Sequence, residues 1–359
     1  VRYLPCHHRE DARRWLQAIV EKSWVAPSWP QQYGGAGLTV AEARIIKQEM
    51  KRLGCRLPIM SLGLHMMGPT IMEFGTEAQR LEQLPKIARG EIRWCQGYSE
   101  PGAGSDLASL QCKAVDAGDH FVVSGQKVWT SYADKSDFLF CLVRTDPTAS
   151  KHEGISVLLI DMAWPGVSAR PIELISGASH FCETFLENVR VPKSCLLGEL
   201  NKGWTVAKRM LQYERSMMSE IDSGGYDPDV IALARRYLGT DADGRLAEPV
   251  LRDQLVVNEM ERAAIALTGE RIRAEARAGG PSPASSVLKW KMSEQLKQRY
   301  ELLVTMLGSR GVGWEGAGFE EAELRIAREW AFAKIHSIGG GTTEIQLNII
   351  AKRVLDLPD

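Results

Sequence analysis

The hydrophobic periodicity of this chain changes twice along its length, and that change limits the architectures open to it. Over residues 9–92 apolar side chains recur at helical spacing, with Ala43, Ile46, Met50 and Leu53 as one stripe and residues 77–87 as another. Trp29-Pro30 and Gly34-Gly35-Ala36-Gly37 break the first helix from the next. From about 93 to 200 the spacing shortens to strand-like runs at 120–123, 138–143 and 155–160, bounded by Gly, Asp, Pro and Ser. Strands this dense, with no helices between them, predict an antiparallel sandwich or barrel. Helical patterns return at Trp204. Residues 251–278 and 285–307 are each long enough for a bundle helix, with a turn at 279–283 and Ser285 or Ser286 as N-cap. A last helix is expected over 343–354. The expectation is an α+β chain in three parts: an N-terminal helical domain at 1–92, a middle antiparallel β-domain at 93–200 and a C-terminal four-helix bundle at 201–359.

Composition narrows the function classes. The 44 Lys and Arg against 45 Asp and Glu leave a net charge of -1, and 44% of residues are hydrophobic. That excludes a disordered polyanion, a collagen-like fibre and a basic nucleic-acid coat. No stretch approaches the roughly 20 apolar residues of a membrane helix, so the chain is expected to be cytoplasmic, with no membrane and no nucleic acid among its partners. Seven cysteines form no Cys-x-x-Cys pair, and the histidines show no ligand spacing beyond the adjacent His7-His8. A reducing interior and no metal site are expected.

Three motifs carry chemistry. Tyr98-Ser99-Glu100-Pro101-Gly102-Ala103-Gly104-Ser105-Asp106 is a turn whose small residues let backbone N–H groups approach a phosphate. Gly125-Gln126-Lys127-Val128-Trp129-Thr130-Ser131 follows a strand and sets an aromatic beside two hydroxyls; read by itself it is an ordinary strand with Trp129 in the core. Ile338-Gly339-Gly340-Gly341-Thr342-Thr343-Glu344-Ile345-Gln346 leads three glycines into a helix N-terminus, which either faces an anion or is a turn capped by Thr342.

Together and in this order, the motifs resemble the signatures of the acyl-CoA dehydrogenase family, and the resemblance runs over residues 12–358, including Trp29-Pro30-Gln31-Gln32-Tyr33-Gly34-Gly35 and Val191-Pro192. It implies FAD as cofactor and assembly as a homotetramer or homodimer. By position, Tyr98 and Ser99 match residues at the flavin edge, and Ser105, beside Gly104, matches a pyrophosphate contact. Trp129 matches the aromatic over the flavin, and Ser131 the hydroxyl that bonds its reactive nitrogen. Thr342 and Glu344 match contacts at the last helix. Arg235 matches an arginine that reaches the partner subunit's pyrophosphate, although Leu238 replaces the usual phenylalanine nearby.

The implied reaction removes an α-proton and passes a β-hydride to flavin, which requires a carboxylate base and a polarised thioester carbonyl. Many relatives carry that glutamate directly before the Gly-Thr pair; here the position is Gly340. Isovaleryl- and long-chain-type relatives place it on the first bundle helix before an arginine. Gln212-Tyr213-Glu214-Arg215 occupies that place, so Glu214 is the candidate base, with Arg215 orienting the loop or substrate. The bland reading is an exposed helix-surface carboxylate. For carbonyl polarisation the resemblance implies the flavin ribityl hydroxyl together with the backbone N–H of Gly340.

Two other readings keep the fold: a base-deficient partner subunit of a heteromeric enzyme, or a flavoenzyme of nitroalkane oxidase-like or monooxygenase-like chemistry. The resemblance also implies an acyl-CoA substrate and an electron-transferring flavoprotein as acceptor. Met210, Met217 and Met218 near Glu214, and a glycine-rich break at 223–228, suit an adaptable pocket for branched, cyclic or steroid-like acyl groups, although a methionine stripe is more often plain core.

Overall fold

The computed structural model describes residues 10–55, 59, 61–220, 228–277 and 284–358. The expected turn at 279–283, and all but Pro228 of the break at 223–228, lie outside the described residues. The chain divides into two compact units, one of residues 1–172 and 179–217, the other of 173–178 and 218–359.

In the first unit four helices precede the sheet: α1 (Glu10–Glu21), α2 (Val40–Arg52), α3 (Gly68–Phe74) and α4 (Glu77–Ala88). α2 and α4 open on capping boxes, Thr39 with Glu42 and Thr76 with Gln79, in which side chain and backbone satisfy each other's free groups. Leu53, read as part of the α2 stripe, is instead its C-cap and is exposed, because the helix stops at Arg52.

The strands are β1 (Trp94–Gly97), β2 (Lys113–Asp116), β3 (His120–Ser131), β4 (Phe138–Arg144), β5 (Ile155–Asp161), β6 (Val167–Ile172), β7 (Phe181–Pro192) and β8 (Leu196–Leu197). They form one sheet in the order β6-β7-β3-β2-β4-β5-β8, with β1 added beside β4. Pairing is antiparallel apart from β1 with β4 and a single contact of β2 with β4 at Lys113 and Arg144. The unbroken apolar run of β4 has a physical reason: both faces are buried. Phe140 and Leu142 join a core with Ile71, Leu84 and Trp94, while Leu139, Cys141 and Val143 join one with Phe121, Val189 and Val191. Helix α5 (Gly203–Glu220) then lays Val206, Ala207 and Met210 into the first of these cores.

The second unit holds α6 (Val230–Leu238), α7 (Pro249–Arg277), α8 (Ala284–Leu307), α9 (Glu321–Ala333) and α10 (Thr343–Ile349). Ser285 and Ser286 lie inside the first turn of α8 rather than capping it. The last helix widens into a π turn at Ile350–Val354. Buried Asn258 and Gln295 tie α7 to α8 by exchanged bonds of 3.1 and 3.0 Å. Glu323, 1% exposed, accepts from Arg310 and from Tyr237 Oη at 2.6 Å, and these bonds hold its carboxyl down to about 2.

Candidate active site

The first glycine loop is built around a buried ion pair. Lys127, fully buried on β3, donates to Glu100 Oε1 at 2.7 Å and to Tyr98 O at 3.2 Å. Glu100 in turn accepts from the N–H groups of Gln111 (2.7 Å) and Cys112 (2.9 Å). With every oxygen of the carboxylate engaged, the charge is tolerated in the interior. The turn closes by reciprocal 3.0 Å bonds between the backbones of Glu100 and Ala103. Gly102 and Gly104 stand in open space, where even an added Cβ meets nothing within 4 Å, and Gly104 and Ser105 are exposed. Ser99 is half-buried, its carbonyl taken by the Val128 N–H.

Trp129 departs from the strand reading. The β3–β7 register shifts between Lys127 and Thr130, and Trp129 sits in that irregularity with φ at 62°. A bulky residue adopts the left-handed region at a cost, so the surroundings must enforce it. The bulge throws the indole out of the sheet: it is 54% exposed and touches Phe181 edge-on at 6.2 Å. Trp129 is therefore not a core residue. Ser131, two residues on, is half-buried opposite Phe181.

In the same unit α5 brings Glu214 to the far end of Tyr98. Tyr98 is buried, its ring tilted on Phe140, and its Oη donates to Met210 Sδ at 3.7 Å. Burial first, and then the Glu214 charge, push its phenol well above the ordinary value. Glu214 lies one helical turn beyond Met210 and is half-buried, so the bland reading of an exposed surface carboxylate does not describe it. α5 is fixed by Glu73 of α3, which accepts from Arg209 Nε (2.7 Å) and Tyr213 Oη (2.8 Å). Burial raises the Glu73 carboxyl, yet those two bonds bring it below its usual range. Arg215 is on α5; its side chain lies outside the described residues.

In the second unit, Gly340 and Gly341 take φ of 67° and 91° ahead of α10. Thr342 is the N-cap, its hydroxyl accepting from the Ile345 N–H, a bond that leaves the N–H groups of the preceding glycines untouched. Thr342 and exposed Glu344 line a cleft with Ser337, Glu294 and Lys297. Among the described residues no acceptor meets the N–H of Gly340, Gly341 or Thr342. Arg235 is exposed on α6, while its neighbour Arg236 pairs with Glu320.

Within the first unit the residues fit a flavin in kind: an outward indole for an aromatic ring, half-buried hydroxyls at Ser99 and Ser131, and open glycines; within the second, the N–H groups of the glycine turn suit an oxygen ligand. Sequence reasoning passed over Glu100, Lys127, Glu73 and Lys289. The first two stand inside the first two motifs, and a lysine in the strand-like run at 125–131 was the available signal for Lys127. Nothing local marks the other two.

Family models for the acyl-CoA dehydrogenase N-terminal, middle and C-terminal domains match residues 5–91, 95–189 and 201–355. The acyl-CoA dehydrogenase IpdE1 of Mycobacterium tuberculosis is 35% identical over 356 residues, 97% of this chain and 89% of that protein. The solved Tcur3481-Tcur3483 steroid ACAD aligns with a TM-score of 0.81 at 30% identity, over 99% of this chain and 94% of its own. The ChsE4-ChsE5 complex of Mycobacterium tuberculosis gives 0.77 at 31% identity, over 97% and 90%. The chain belongs to the acyl-CoA dehydrogenase family, whose members are FAD-binding oxidoreductases.

Proposed function

We propose that this protein binds FAD and dehydrogenates an acyl-CoA thioester to the trans-2-enoyl-CoA, with Glu214 as the base. The observation that carries the assignment is the half-buried Glu214, one helical turn beyond the Met210 that meets buried Tyr98, on a helix tied to Glu73. Bound flavin supplies the hydride acceptor. The chain's own part is acid–base and electrostatic. Glu214 Oε takes the proton from the α-carbon as the α,β double bond forms, and gives it up once product has left. Backbone N–H groups of the second glycine turn, Gly340 first among them, polarise the thioester carbonyl and so acidify that proton. A backbone donor survives the absence of a glutamate side chain at 340, where a left-handed φ favours glycine. Trp129 covers the ring; Tyr98, Ser99, Gly104, Ser105, Ser131, Arg235, Thr342 and Glu344 complete the cofactor contacts, and Arg215 orients the substrate. We read the chain as three parts, 1–92, 93–200 and 201–359, assembled as a homotetramer or homodimer. Electrons pass to an electron-transferring flavoprotein, a partner assigned on the resemblance.

For the acyl group we favour a bulky ring-bearing thioester, because the Tcur3481-Tcur3483 relative is a steroid ACAD. Two structural relatives also pair two differently named chains, which supports a second reading: one subunit of a heteromeric enzyme. Anaerobic titration of the purified protein with a panel of thioesters tests both. Bleaching of the visible flavin band by ring-bearing but not short straight-chain thioesters is the expected result. Equal bleaching by all of them refutes the substrate class; a colourless protein favours the heteromeric reading.

A further inference from the structure

Lys289, on α8, spans the second glycine turn. Its Nζ donates to His336 O at 2.7 Å and to Gly341 O at 2.9 Å, carbonyls on either side of Gly339 and Gly340. Ser293, one turn along α8, adds a 2.7 Å bond to His336 O, and Gln346 Nε2 reaches Gly340 O at 3.4 Å. In a planar trans peptide the C=O of one residue and the N–H of the next point in opposite directions. Drawing the carbonyls of Gly340 and Gly341 onto Gln346 and Lys289 therefore turns the N–H groups of Gly341 and Thr342 the other way. The left-handed φ values at 340 and 341 permit this, and the N–H groups of Gly340, Gly341 and Thr342 meet no acceptor among the described residues. Capping α10 does not require the lysine, because Thr342 already satisfies the Ile345 N–H.

We propose that Lys289 is a positioning residue: its ammonium on the Gly341 carbonyl, beside Gln346 on that of Gly340, keeps the N–H donors of Thr342 and Gly341 aimed at a ligand oxygen on the other side of the turn. The catalytic half of this proposal rests on the reading that the turn polarises the thioester carbonyl. The clamp itself does not.

The test compares Lys289→Met, which keeps length and loses the donors, with Lys289→Arg, which keeps donors and charge. In the full chain as purified, before any thioester is added, amide hydrogen exchange at Ile338, Gly339 and Ile345, the bonded amides flanking the turn, is expected to quicken about 10-fold in Lys289→Met, with 99–105 unchanged. Single-turnover flavin reduction is expected to slow about 10- to 100-fold with the thioester Kd altered less than about 3-fold. Lys289→Arg should recover most of both. Unchanged exchange at Ile338, Gly339 and Ile345 overturns the clamp. Faster exchange with wild-type reduction, or a loss carried by Kd alone, overturns the positioning role. If Lys289→Met does not fold, Lys289→Gln, neutral with amide donors, carries the same comparison. A wild-type protein that no thioester reduces sinks the dehydrogenase reading, while the exchange data still decide the clamp.

Discussion

Two glycine loops of similar composition are held in opposite ways. In the 98–105 loop the anchor is a side-chain ion pair, Lys127 with Glu100, and the loop's own turn closes backbone on backbone. Gly102 and Gly104 are valuable there for the space they leave, since an added Cβ meets nothing. In the 338–344 turn the anchor is an ammonium drawing in carbonyls, and the glycines are valuable for conformation, at φ of 67° and 91°. One loop offers a surface to approach; the other offers backbone donors to bind with. Glycine content alone does not distinguish these uses, and the backbone dihedral does.

The largest expected effect lies at the first anchor. Lys127→Met strands the Glu100 carboxylate in the interior and should cost about 3–5 kcal/mol in denaturant unfolding. The Lys127→Met/Glu100→Met pair should recover part of that, and a single variant as stable as wild type would show that the pair does not hold the loop. Next come the glycines. Gly340→Ala forces a left-handed alanine and should lose about 1–2 kcal/mol, whereas Gly104→Ala should leave the melting curve within about 0.5 kcal/mol of wild type and weaken flavin retention instead. Equal stability losses at the two sites would erase the contrast.

A smaller effect separates the loops by pH. Burial first, then the Lys289 charge, lower the His336 imidazole below its ordinary value of 6.5. The unfolded chain then binds more protons than the folded one just below pH 6.5, so stability falls on acidification through that range and is restored above it. Protection at Ile338 and Gly339, whose N–H groups bond Ile335 O, should decline between pH 7.5 and 5.5, and His336→Gln should flatten the change. The smallest stability effect is at Trp129→Ala: an indole 54% exposed should alter unfolding by about 0.5 kcal/mol or less, while absorbance of the purified variant shows reduced flavin content.

Much of the architecture was legible because it is local. The apolar runs at 138–143 and 155–160 became β4 and β5, and the helices expected over 251–278 and 285–307 end within two residues of α7 and α8. What the sequence hid is non-local. The bulge that ejects Trp129 depends on pairing between β3 and β7, and a tryptophan in a strand-like run otherwise reads as core. Glu73 meets Arg209 and Tyr213 across 136 and 140 positions, and Lys289 reaches carbonyls 47 and 52 positions away. No spacing rule reports such distances. Glu214 was chosen by family position; its nearness to Tyr98 is what the structure adds.

The most direct measurement is anaerobic single-turnover reduction of the flavin in wild type and Glu214→Gln with one reactive thioester. A glutamine keeps the shape and removes the base, so reduction should slow by about 10²–10⁴-fold while the spectral shift on thioester binding is retained. Reduction of Glu214→Gln at the wild-type rate would contradict the account, and the base would have to be sought on another element.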